Sequence, residues 1–201
     1  MNKLLVLITS LLLSTSAFAM SGSYGVSSDY MWRGQTQTDH GPALNFGLEQ
    51  GLGNGFYVGA WGSNIDINGE EEVEADFYGG YSVAKGDFTL DLGYVSYQYS
   101  GEGEDFNEKF IGLGYGPIKI GKAMGVGSAK DYEFVEYTLP FIDFADITLH
   151  YGDYEDVIDK SIQIEYSLTN TLTLGMLIMS TVRDDDVDFG DAVSVHLTSY
   201  F

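Results

Sequence analysis

Cysteine is absent from this sequence, and proline occurs only three times. No disulfide therefore holds the fold, even in an oxidising compartment. Basic residues are scarce: nine Lys and Arg stand against 30 Asp and Glu, for a formal net charge of −21. That balance excludes the phosphate-neutralising surface of a nucleic-acid-binding protein, so no nucleic acid is expected as a partner. After the leader described next, no apolar run approaches the ~18 residues of a spanning helix, and no amphipathic helix of three turns is legible.

The first segment, MNKLLVLITSLLLSTSAFAM, has a basic start at Lys3, an apolar run from Leu4 to Leu13 and Ala17-Phe18-Ala19. That is the pattern of a cleaved secretory leader over residues 1–19, with the mature chain starting near Met20. The apolar run is about half the ~20 residues a spanning helix needs. With no cysteine after the cleavage site, a lipid anchor is not expected.

What the sequence does have is glycine (26), tyrosine (15) and phenylalanine (12). The last stretch, Ala192 to Phe201, alternates. Val193, Val195, Leu197, Ser199 and Phe201 share one face, and Ala192, Ser194, His196, Thr198 and Tyr200 share the other. This is the two-residue period of a strand with unlike surroundings on its two sides. An alternating strand ending on an aromatic resembles the closing strand of a bacterial outer-membrane barrel, whose terminal Phe is read by the insertion machinery.

Similar runs recur through the chain. They span 23–33, 42–50, 56–66, 74–83, 88–99, 107–115, 118–126, 132–139, 146–153, 160–168, 172–182 and 192–201. Lys119 and Lys122 interrupt the seventh, which predicts a bulge or register change there. The eleventh is apolar on both faces at its centre. Tight turns follow the even-numbered runs, and longer or more acidic connections follow most odd-numbered ones. An even strand number with alternating loop character fits a closed antiparallel up-and-down β-barrel of twelve strands crossing an outer membrane. Closure satisfies every backbone donor and acceptor without water. A soluble β-sandwich is the competing all-β reading.

Alternation places Asp29, Arg33, Asn45, Glu49, Asp76, Asp91, His150, Gln163, Glu165 and His196 on the inward face. Asp29, Arg33, Glu49, Asp76, Asp91 and Glu165 are the candidate lumen-lining set. An acidic lumen predicts a cation-preferring pore. The competing reading is a bore packed by a polar network, with Arg33 paired to Asp29, Glu49 or Asp76. Asn64, Asp66, Asn68 and Gly69 have the spacing that opens a calcium loop, but its twelfth position is Ala75, not Glu. Asp184, Asp185, Asp186 and Asp188 form a second acidic loop. Both read as solvated hairpin loops, and no metal or cofactor is assigned. Three histidines and no G-x-S-x-G argue against an enzyme.

The segment Val26-Ser-Ser-Asp-Tyr-Met-Trp-Arg-Gly34, followed by Gln37-Thr-Asp-His-Gly-Pro-Ala43, resembles the bacterial family called Gcw_chp, also labelled TorF-family porins. So do Gly55 to Asp66 and Glu74 to Tyr81. The resemblance is specific over residues 26 to about 99 and general beyond. It implies an outer-membrane β-barrel with a channel role, and it carries over no residue with an assigned role. The expected function is a narrow passive channel for small solutes or ions, with lipid, lipopolysaccharide and the insertion machinery as partners. A non-conducting structural or surface-interaction barrel is the alternative.

Overall fold

Alternating side chains become a closed wall in the computed structural model, which describes residues 20–67, 69–101, 105–154, 157–183 and 188–201. The leader expected at 1–19, Asn68 and the acids Asp184, Asp185 and Asp186 lie outside the described residues. The strands are β1 Met20–Ser27, β2 Met31–Trp32, β3 Gln35–Thr36, β4 Ala43–Gly53, β5 Phe56–Ile67, β6 Glu70–Lys85 and β7 Phe88–Tyr99. They continue with β8 Phe106–Tyr115, β9 Ile118–Val126, β10 Tyr132–Thr138, β11 Asp146–Tyr154, β12 Val157–Ser167, β13 Leu172–Arg183 and β14 Asp188–Tyr200. All but β2 and β3 form one closed barrel of antiparallel neighbours, so twelve strands make the wall, as the alternation predicts.

The seam joins the two ends of the chain. β1 pairs with β14 from Ser23↔Tyr200 to Ser27↔His196. Gly22 and Phe201 then exchange reciprocal backbone hydrogen bonds of 3.0 Å. The Phe201 ring turns outward and packs near Tyr24 and Phe46. Outward positions are apolar and exposed around the wall, as with Leu44 and Phe46 on β4 or Val193 and Val195 on β14. Exposed rings concentrate at the rim that holds the chain ends: Phe56, Phe88, Tyr115, Phe141, Phe144, Tyr166 and Phe201. A band of this kind is what an aromatic girdle at a membrane interface requires. The other rim carries the acidic connections.

Three sequence expectations are corrected. The first run does not continue to Arg33. β1 leaves the wall after Ser27, and residues 28–42 turn into the barrel as the β2–β3 hairpin. Local alternation persists through Tyr30 and Trp32, so the sequence pattern hides the exit. The acidic stretch Glu70 to Val73 is not a loop but the start of β6, paired with β5 down to Ile67↔Glu70. Its parity is intact, because Val73 and Phe77 face out while Glu72 and Glu74 are buried. No bulge interrupts β9, whose register to β8 and β10 is continuous. Lys119 points in and Lys122 points out on the rim, where it pairs with Glu133 at 2.6 Å and Asp131 at 3.2 Å. Register shifts occur instead at Gly51/Gly53 and Thr181/Val182.

Candidate functional site: a lumen crossed by the first hairpin

Two tight turns make the hairpin. Arg33 and Gly34 have φ of 45° and 81° between the paired residues Trp32 and Gln35. Positive φ at both central residues matches the right-handed twist of the flanking strands. Asp39 and His40 repeat the pattern with φ of 47° and 62°, closed by Gly41 N–H donating to the Thr38 carbonyl at 2.7 Å. Gly34 is needed for space as well, because a Cβ there would press on Thr181 and Asp159. Its carbonyl accepts a bond from Thr181 Oγ1 at 2.9 Å.

Asp29 organises this hairpin. Its Oδ1 accepts from Thr36 at 2.7 Å and Thr38 at 3.2 Å, and its Oδ2 lies 2.9 Å from His40 Nδ1. Ser194 of β14 donates to the Asp29 carbonyl at 2.6 Å. Met31 packs with Leu177, Met179 and Ala192, which explains the apolar inner face of the eleventh run. Tyr30 packs against Trp61, with ring centroids 5.3 Å apart and planes tilted by 59°. Burial, then the charges of Glu74 and Asp76, holds the Tyr30 hydroxyl well above its usual range.

Arg33 crosses the bore. Its Nη1 and Nη2 donate to the two carboxylate oxygens of Glu108 at 2.6 and 2.7 Å. The two side chains are 6% and 1% exposed. The guanidinium also lies 4.3 Å from the Trp32 ring centroid, 4.4 Å from Tyr132 and 5.2 Å from Tyr154. Burial alone would lower the Arg33 pKa, but the hydrogen-bonded charge of Glu108 more than offsets it and the net shift is upward. A bidentate, aromatic-caged pair of this kind is strong and directional. It ties the hairpin to the far wall. Against the hairpin lies a cavity of about 140 Å³, lined in part by Trp32, Arg33, Asp91, Phe110, Phe134 and His150.

The predicted residues fall into three groups. Asp29 and Arg33 sit on the hairpin, not on the wall. Asp91 lines the cavity beside Arg33. Glu49, Asp76 and Glu165 lie on inward-facing wall positions, opposite Gly59, Trp61 and Gly175 respectively. Arg33 is brought to none of the three partners expected for it. Glu165 instead meets His196 at 2.7 Å and accepts from Gln163 at 3.1 Å.

Several partners of the inward-facing His150 escaped the sequence reading. His150 Nδ1 lies 3.2 Å from Glu136, and its Nε2 lies 2.8 Å from the Tyr132 hydroxyl and 3.3 Å from Asp159. Tyr132 donates to Asp159 at 3.0 Å, and Lys119 reaches Glu136 at 3.5 Å. Extending the alternation of Phe110 back by two residues finds Glu108, and extending that of Ser161 finds Asp159. Across the bore, Tyr99 donates to Glu74 Oε1 at 3.1 Å and Tyr57 to Asp91 Oδ1 at 2.8 Å. Glu74 Oε2, Asp76 Oδ1 and Asp91 Oδ2 are buried and accept no hydrogen bond from the described residues. Among the described residues no group of three or more acids and histidines is placed to hold a metal ion.

This geometry has solved counterparts. The KdgM porin superposes with a TM-score of 0.68 at 9% identity, over 90% of this chain and 99% of the porin. The KdgM porin in complex with disordered oligogalacturonate gives 0.66 at 8% identity, over 90% and 98%. Outer membrane phospholipase A from Escherichia coli reaches only 0.46 at 14% identity, over 90% of each chain, too low to carry an argument. At these identities the likeness is one of fold. No curated protein matches the chain. Residues 13–176 match the family described as "Bacterial protein of unknown function (Gcw_chp)", and the chain belongs to that family.

Proposed function

We propose that this chain is an outer-membrane barrel acting as a narrow passive channel for small solutes or ions, with a preference for cations. The observation that carries the reading is the sign of the inner wall. Glu49, Glu74, Asp76, Asp91, Glu136, Asp159 and Glu165 share the inward parity with one lysine, Lys119. Arg33 is already neutralised by Glu108. A fixed charge 4 Å from a permeating ion is worth about 1 kcal/mol in water and several-fold more in a low-dielectric bore. Uncompensated carboxylates therefore favour cations and repel anions.

The same sign argues against inheriting the solute of the KdgM complex, since oligogalacturonate is a polyanion. The leader at 1–19, the barrel domain at 20–201, the apolar exterior and Phe201 support delivery to the outer membrane through the insertion machinery. Lipid and lipopolysaccharide are then the surrounding partners. The reading is non-enzymatic. Among the described residues His150 and His196 bond carboxylates and a tyrosine, not a serine.

One observation favours a second reading: the hairpin reaches across the bore to Glu108 on β8, which supports a barrel that conducts nothing until it moves. Single-channel recording across a planar bilayer under a potassium chloride gradient tests both. Steady current steps with a reversal potential on the potassium side support the channel. Inserted, heat-modifiable protein with no current rejects it in favour of the sealed barrel. An anion-selective potential rejects the charge argument.

A further inference from the structure

We infer that Phe134 seated on Gly121 narrows the lumen on its β9–β10 side, an inference that rests on the channel reading for its consequence but not for its geometry. Directly opposed residues on antiparallel strands share a face. Phe134 of β10 opposes Gly121 of β9 on the inner wall. A Cβ built on Gly121 would overlap ring atoms of Phe134, and no backbone atom stands in its way. The ring therefore lies flat in the space that a side chain would fill.

The ring is also held from other sides. Lys119 Nζ lies 5.1 Å from its centroid, and the His150 ring stacks at 5.7 Å. Phe134 lines the cavity of about 140 Å³. Behind the ring is the wall. A methyl group at position 121 can lift the ring only toward the lumen. Glycine inside a strand weakens it unless something approaches closely, so this placement has a cost that the seat explains.

The device recurs. The Tyr78 side chain of β6 lies on Gly59 of β5, and the nearest atoms a Cβ there would meet are its ring carbons and hydroxyl. Phe110 lies on Gly93, but there a Cβ would also meet the Gly79 carbonyl, so that position tests folding rather than width.

The experiment uses the full barrel refolded in detergent, with Gly121→Ala, Phe134→Ala and the double variant. Conductance and the size cut-off for graded polyethylene glycols are measured for each. Gly121→Ala should lower conductance by about twofold or more and admit only smaller polymers, and Phe134→Ala should do the opposite. The double variant should match Phe134→Ala, because the ring that the methyl group displaces is gone. An equal drop from Gly121→Ala in both backgrounds, or no drop in either, overturns the inference.

If the wild-type barrel passes no current, the channel reading fails and the seat is judged by stability instead. Gly121→Ala should then lower the thermal midpoint by about 3–8 °C in the wild type, the cost of overpacking. It should leave the Phe134→Ala barrel unchanged. Equal losses in the two backgrounds would mean that the ring is not seated there. Gly59→Ala with Tyr78→Ala repeats the cycle at an independent position.

Discussion

The acids of the β4–β7 side of the lumen and those of the β8–β12 side share burial but not company. On the second side Glu108, Glu136 and Asp159 each meet a basic side chain: Glu108 holds Arg33, Glu136 holds Lys119 and His150, and Asp159 faces His150 and Tyr132. On the first side the partners are phenols, and Glu74, Asp76 and Asp91 each keep one buried oxygen with no hydrogen bond from the described residues. Charge removed from a paired site leaves its partner stranded in low dielectric, whereas charge removed from an uncompensated site relieves a burden. The same residue type therefore holds the hairpin on one wall and shapes the potential on the other.

The sharpest way to break this contrast is Glu108→Gln. It strands the Arg33 charge, so the barrel should lose about 3–5 kcal/mol of stability, read as a lower temperature of the heat-modified gel shift. Arg33→Met with Glu108→Leu should recover most of that loss, because an apolar pair of similar size replaces the ion pair. A Glu108→Gln barrel as stable as the wild type would put the two walls on equal footing.

Next is Asp76→Asn with Asp91→Asn. Asparagine keeps the oxygen that Tyr57 donates to, so the melting temperature should hold or rise while the reversal potential moves toward zero. A large loss of stability with an unmoved potential would reverse the roles of the walls. The smallest effect is expected at Lys122→Ala. This lysine pairs with Glu133 and Asp131 on the outer face of the rim, where water screens the charges. Neither the melting temperature nor the reversal potential should change, and a shift in selectivity would mean that rim charge competes with the lumen.

The wall was legible in the sequence because a barrel strand writes its surroundings into every second residue. Twelve runs predicted twelve wall strands. The parity of Glu49, Asp76, Asp91, Glu165, His150 and His196 followed without any knowledge of pairing. The hairpin was not legible, because an inward strand with Tyr30 and Trp32 alternates as a wall strand does. Its signals were the turn residues Arg33-Gly34 and Asp39-His40-Gly41. A second signal lay far away, in Leu177 and Met179, apolar residues on a face that should have been polar. The partner of Arg33 was beyond reach for a related reason. Alternation gives the face of a residue but not its neighbour across a bore, and Glu108 is 75 residues away in the chain.

That separation has a kinetic meaning. The hairpin occurs early in the chain, yet its contacts come from Glu108, Thr181 and Ser194, at separations of 75, 147 and 165 residues. Contacts so distant form only after long loops have closed. These contacts of the hairpin therefore form last, after β14 has met β1, and a half-assembled barrel has no formed seat for residues 28–42. A seated hairpin is in this sense a record of completed assembly: a chain whose seam has yet to close leaves the Arg33-Gly34 turn open to protease.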